Sequence, residues 1–365
     1  MGKIDEKISS LTEYVNVVKK YDLRNQYFRG ENQKYSNICS CLVRDYFPKE
    51  NGVGLIHTYS KLLRGYYQEI GYELNKMQEE NFLAFSQHHG LKTNLIDFTT
   101  APLVALYFAC ERKMYDVNSG YVYILNEKET IDASGFLQEF SIKDHTFYNV
   151  FSRLFYNQPD VVTSFKNLFE GYPDVLTDKY PYNLVRNMIE QIKSYPYFEK
   201  SNSYLREREQ CEKSLDGFLK IPQIIQSYLP DFNVLGGMRL VEYIALLLMF
   251  FDDLRSCQLN IPSNMPFPTI PYFMYKTPLK FDRIKNQCGV FLYQGFVDYE
   301  IECGKCRGLM IQKIIPSMTI QIENQKEIMN ELDLVGINKR YIYGDFDNTA
   351  QYINMKFMGN MYAQD

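Results

Sequence analysis

The sequence predicts an α+β fold, a mixed sheet core with a large helical insertion, and three observations carry that expectation. Short apolar and aromatic runs at 25–30, 121–125, 289–296 and 308–315 have the length of strands and abut glycines or polar turns. Elsewhere on both flanks, apolar residues recur three or four positions apart, the spacing of one helix face. The middle, 132–275, is largely helical in period and is broken by prolines at 159, 173, 181, 196, 222 and 230. It closes on a proline-dense stretch at 261–273 that reads as loop or linker. The expected organisation is an N-terminal part at 1–131, a helical insertion or subdomain at 132–275 and a C-terminal part at 276–365.

Taken in order, Ile4, Ile8, Leu11, Val15 and Val18 mark one face of an N-terminal helix. The strand at 25–30 ends at a glycine. A helical stretch at 53–84 carries Ile56, Leu62, Leu63, Tyr67, Ile70 and Leu74 as its inner stripe. A buried helix at 101–112 tolerates Pro102 in its first turn. Asn118, Ser119 and Gly120 make a turn into the strand at 121–125. Late in the chain, a helix at 324–335 is ended by Gly336, and 340–347 reads as a strand and turn before a last short helix.

Composition narrows the function classes. Hydrophobic residues make up 45% and charged residues 23%, a globular balance without a disordered bulk. A net charge of −4 and a pI of about 5.8 argue against broad electrostatic binding to nucleic acid or anionic lipid. The eight cysteines read as reduced thiols. The opening MGKIDEKISS lacks the apolar core of a signal peptide, and the longest apolar run, 243–251, is too short to span a bilayer. A soluble cytoplasmic protein without a membrane partner is expected.

The polar residues that stand out sit at element junctions, where a packed scaffold can hold them for chemistry. Arg29, beside Gly30 and Glu31, places a guanidinium at a strand end next to a glycine that lets a ligand approach; the alternative is a structural ion pair. Gln87-His88-His89-Gly90 offers an imidazole that titrates near neutrality, against the plainer reading of one solvent and one core histidine. Adjacent histidines point to different sides, so they rarely share a metal, and none is expected. Asp97-Phe98-Thr99-Thr100 reads as a helix N-cap before Ala101-Pro102, a place that also attracts phosphate. Cys303 and Cys306 form a lone C-x-x-C without a second ligand pair, most simply a turn with two ordinary thiols.

Together these residues resemble the FRG domain family, named for its Phe-Arg-Gly motif. Phe28-Arg29-Gly30 matches that motif, and Gln87-His88-His89-Gly90-Leu91 with Thr93 follows the Gln-His-aromatic-Gly-Leu-Pro-Thr run, with Lys92 in place of Pro. Leu95-Ile96-Asp97-Phe98-Thr99 is similar to Leu-Leu-Asp-Trp-Thr, with Phe98 for Trp. Pro102 to Ala109, Arg283-Ile284, Gln287 to Phe291 and the ending from Ile314 to Ile353 are also similar to the family's wording.

The order of an early Arg strand, a Thr before an apolar helix, and a following strand also resembles the ADP-ribosyltransferase fold. That resemblance implies an ADP-ribosyltransferase-like sheet core and NAD as substrate. It implies that Arg29, with Gly30, Glu31, Gln87 and His89, binds the dinucleotide, and that Thr99, His88, Asp97 and Gln287 carry the chemistry. Gln287 stands where such folds place a catalytic acid. Either Glu31, Asp97 or Asp345 supplies the charge, or the site binds without transferring. The leading expectation is an NAD-using toxin or anti-phage effector that modifies a protein or nucleic acid, with a partner protein from a defence or toxin–antitoxin system. The alternatives are a nucleotide or phage-product sensor and a metal-dependent nuclease built on Asp97, His88 and His89.

Overall fold

The computed structural model describes residues 5–46, 55–111, 119–138, 150–151, 164–165, 247, 251, 267–279, 281–301 and 306–358. In chain order the elements are β1 (Glu6–Ile8), α1 (Leu11–Lys20), β2 (Tyr27–Glu31), α2 (Cys41–Arg44), α3 (Leu55–Ile70), α4 (Lys76–Glu80) and α5 (Phe82–His88). Next come β3 (Leu95–Thr99), α6 (Pro102–Cys110), β4 (Gly120–Leu125), β5 (Thr130–Asp132), α7 (Ser134–Gln138) and β6 (Tyr272–Tyr275). The chain continues through α8 (Asp282–Asn286), β7 (Gly289–Tyr293), β8 (Phe296–Ile301), β9 (Cys306–Ile311) and β10 (Met318–Ile322). It ends with α9 (Gln325–Leu334), α10 (Lys339–Tyr343) and α11 (Phe346–Phe357).

Among the described residues, eight strands form one mixed sheet in the order β1-β10-β4-β2-β3-β7-β6-β5, and β8 and β9 form a separate antiparallel pair. The outermost pairs, β1 with β10 and β5 with β6, are parallel, and the inner ones are antiparallel. The strand alternation of side chains builds a core on each face. On one face, Phe28, Val122, Ile124, Ile320 and Ile322 pack under α1, α6 and α9. Farther along that face, Leu95, Phe273, Tyr275, Phe291 and Tyr293 pack against Tyr59, Leu63 and Phe85. The opposite face gathers Tyr27, Ile96, Phe98, Tyr121, Tyr123 and Leu292, with Ile38 and Ile314 joined by an isolated bridge.

The mixed α+β architecture follows the sequence reading, with differences at particular elements. The N-terminal apolar period covers a strand and a helix, because Ser10 caps α1 by accepting from the Glu13 N–H and leaves Ile8 on β1. The stretch read as one helix at 53–84 is divided by the turn at Gly71 and by a capping box between Asn75 and Gln78. Residues 340–347 are not a strand. Asn338 caps α10, Gly344 ends it at φ +72°, and Asp345 caps α11. The run at 289–296 breaks at Gln294, whose buried amide bonds Ser40 N–H and the Gln312 carbonyl. Asp97, Phe98 and Thr99 belong to β3 rather than to a cap, and the N-cap residue of α6 is Ala101, which offers no side-chain bond.

Most of the middle lies outside the described residues, as does Cys303 of the C-x-x-C. Of the positions described there, 150–151, 164–165, 247 and 251 are helical, as is α7, whereas β6 at Tyr272–Tyr275 is a strand of the main sheet, so the end of the stretch expected to be loop or linker is paired to β7. Phe151 stacks near Phe251 and Phe273, so these residues share the sheet's core. Among the described residues no helix is long and apolar enough to cross a membrane.

Candidate functional site

The sheet parts between β2 and β3. These strands meet at one pair, Phe28 with Thr99, and a continued antiparallel ladder would set Gly30 opposite Asp97. Instead the Arg29 guanidinium enters the gap. Its Nη1 donates to the Asp97 backbone carbonyl at 2.8 Å, and its Nε donates to Glu31 Oε1 at 2.9 Å. The side chains of Arg29 and Glu31 are 18% and 8% exposed, so this ion pair is largely desolvated. Alternation places both with Tyr27 and the tyrosines of β4, where Arg29 lies opposite Tyr123. Burial first, then the Glu31 carboxylate and Tyr121, pushes the Tyr123 hydroxyl up.

Asp97 and Thr99 project from the other face of the sheet, because Ile96 and Phe98 occupy the tyrosine side. There a relay fixes Asp97. Thr93 Oγ1 donates to Gln87 Oε1, which turns the amide nitrogen outward, and Gln87 Nε2 donates to Asp97 Oδ1 at 3.0 Å. Asp97 is exposed at the end of this relay. Helix α5 ends at His88 and turns at Gly90, φ +89°, which brings Gln87 back towards Thr93. His88 stacks on Phe281, with ring centroids 3.9 Å apart and planes at 3°. Burial, together with His89 and Arg283, holds its imidazole below the ordinary value. His89 lies on the Phe85 ring and is exposed.

Thr99 meets Gln287 through the backbone. Its hydroxyl donates to the Gln287 carbonyl at 2.6 Å and accepts from the Ala101 N–H at 2.9 Å. The Gln287 residue ends α8 rather than opening β7, and its side-chain amide donates to the Ile342 carbonyl at 3.2 Å. Gly30 serves packing. A Cβ there would stand 1.8 Å from the Ala105 carbonyl oxygen, so α6 lies directly on the strand. This face is opposite Arg29, and the glycine is covered by helix backbone rather than open to a ligand.

The structure therefore gathers the expected residues into two sets flanking one gap. Arg29 and Glu31 lie on the tyrosine side; Gln87, His88, Asp97 and Thr99 lie on the α5 side, with the backbone of Gln287. Tyr121 and Tyr123 read from the sequence only as aromatics of a strand, and Phe281 was not singled out. The alternating Tyr121 and Tyr123 on a strand beginning at Gly120 were the available signal. Among the described residues no three His, Cys, Asp or Glu side chains gather as metal donors.

Residues 24–117 match the family model of the FRG domain. No curated protein and no solved structure matches the chain. The matched span holds Arg29, Glu31, Gln87, His88, Asp97 and Thr99, while Gln287 lies beyond it. The motif glycine packs a helix, the motif arginine bridges two strands, and the Gln and Thr of the second motif position the Asp of the third. This protein carries an FRG domain at residues 24–117.

Proposed function

We propose that this protein is an NAD-using, ADP-ribosyltransferase-like effector of the toxin or anti-phage type, with its site along the gap between β2 and β3. One observation carries the reading: β2, β3 and β7, the strands that the resemblance charges with the Arg, Thr and late motifs, are adjacent in the sheet. Arg29 suits the pyrophosphate, since a guanidinium has donors beyond the two it uses here. In ADP-ribosyl transfer the bond from the ribose anomeric carbon to nicotinamide breaks, and positive charge develops on the sugar. A carboxylate nearby stabilises that charge. The Gln287 amide is engaged with Ile342, so the reading gives this task to Asp97, an exposed carboxylate held by Gln87 on the face opposite Arg29, and the ligand must therefore reach through the gap between β2 and β3.

The test is NAD consumption and transfer of label from NAD by the purified chain. Arg29→Ala is expected to weaken NAD binding, and Asp97→Asn to slow turnover by about 100-fold with binding retained. Turnover equal to wild type in both variants would defeat the assignment. A second reading, a sensor that binds a nucleotide without turnover, is favoured by the neutral Gln287 and by the internal pairing of Arg29 with Glu31. Thermal stabilisation by NAD with no product formed would select it.

A further inference from the structure

The pair at the gap is incompletely matched. Arg29 contacts Glu31 through a single bond from Nε to Oε1, although guanidinium and carboxylate can pair in a two-bonded fork. The second carboxylate oxygen, Oε2, is buried and has no hydrogen-bond partner among the described residues. Leaving such an acceptor unmade is costly, and a purely structural pair would satisfy it. A guanidinium with donors to spare thus stands beside a carboxylate with an acceptor to spare. Around them lie Tyr121 and Tyr123, whose rings are 11° from parallel with centroids 6.3 Å apart, and Lys34, whose ammonium sits 5.9 Å from the Tyr121 ring. Arg29 and Glu31 are charged neighbours of both Tyr123 and Cys39, and Arg44 is a further neighbour of Cys39.

We infer that Arg29 and Glu31 form a ribose-phosphate subsite, in which the guanidinium binds a phosphate and Glu31 Oε2 accepts a hydrogen bond from a ribose hydroxyl. The inference rests on the nucleotide-binding part of the proposed function and adds which sugar the ligand carries and that its ribose and phosphate are held on the Arg29 side of the gap. A lone phosphate would satisfy the guanidinium only. A ligand with an anion and a hydroxyl donor close together satisfies both groups, and a nucleotide's ribose and phosphate meet that description. Oε2 is shielded from solvent, so binding requires a side-chain shift of the kind common at binding sites. Release of Arg29 from the Asp97 carbonyl is the shift that opens the gap.

The test is calorimetric titration of the full chain with ADP, 2′,3′-dideoxy-ADP and inorganic pyrophosphate, alongside the NAD turnover assay. Wild type is expected to bind ADP about 10- to 100-fold more tightly than the dideoxy analogue, as for a hydrogen bond to a charged acceptor. Glu31→Gln is expected to shrink that ratio by weakening ADP while leaving the analogue unchanged. Equal affinities in wild type, a ratio untouched by Glu31→Gln, pyrophosphate binding as tightly as ADP, or no ADP binding would each overturn the inference. If the variant does not fold, the wild-type ratio decides alone. Turnover of NAD without sugar discrimination would sink the subsite and leave the enzymatic reading standing. Discrimination without turnover would support the subsite and defeat the transfer reaction.

Discussion

Gly30→Ala separates a packing glycine from a ligand-approach glycine. The added Cβ would fall 1.8 Å from the Ala105 carbonyl oxygen and 2.8 Å from the Ala109 nitrogen. Both obstacles are backbone of α6, so no side-chain rotamer relieves the overlap. To restore ordinary contact the oxygen must retreat from 1.8 Å to at least 3.4 Å, and the helix must move with it. Helix α6 is anchored by buried Val104, Ala105, Leu106, Tyr107 and Ala109, so that movement disturbs the packing on β2 and β4. Overpacking of this kind costs about 1–3 kcal/mol, and a backbone obstacle belongs at the upper end. Gly65→Ala is the matched control, because among the described residues a Cβ there meets nothing within 4 Å and the residue lies inside α3. It should stabilise the protein by about 0.5–1 kcal/mol, from helix propensity alone. Urea unfolding of the two variants beside wild type reads both signs. A Gly30→Ala midpoint at or above wild type would refute the packing account; loss of nucleotide binding at unchanged stability would restore the ligand-approach reading.

Two further outcomes are expected beyond the ligand-binding tests. Asn94→Leu removes hydrogen bonds from a fully buried position, among them the one accepted from the Tyr59 hydroxyl at 2.9 Å and the one donated to the Gln294 carbonyl at 3.0 Å. It should cost roughly 2–4 kcal/mol in chemical denaturation, and a cost under about 1 kcal/mol would show that the amide network is dispensable. His88 titrates lower folded than unfolded, so the unfolded chain takes up its proton first. Its contribution to stability is complete above the unfolded value of about 6.5 and declines as pH falls through that value towards the depressed folded one. His88→Gln should therefore flatten the loss of stability between about pH 7 and pH 5; an unchanged slope would assign that loss to other groups.

Local chemistry made much of this protein readable without coordinates. The residues at 27–31, 121–125 and 289–293 are strand-forming runs, the 102–110 segment is an apolar helix with proline in its first turn, and Gly336 follows α9 as a stop. Where the reading slipped, a cap outweighed an apolar period. Ser10, Asn75, Asn338 and Asp345 each bond a backbone N–H of the following helix, and such a bond sets a boundary that hydrophobic spacing does not register. Met318, Ile320 and Ile322 alternate as a buried strand does, yet the run is only five residues long and no element was expected there.

The sequence by itself determined the residue types of the candidate site, because Arg29, Gln87, His88, Asp97 and Thr99 fall in short motifs that any register preserves. Which of them face each other was settled by pairing between strands distant in the chain. Period-two alternation sends Arg29 and Glu31 to one side of the sheet and Asp97 and Thr99 to the other, and only the Phe28–Thr99 register fixes how the two sets adjoin. The side of a strand that meets a helix is likewise a long-range fact: Gly30 shows its reason only when α6 is seen lying 1.8 Å from where its side chain would begin.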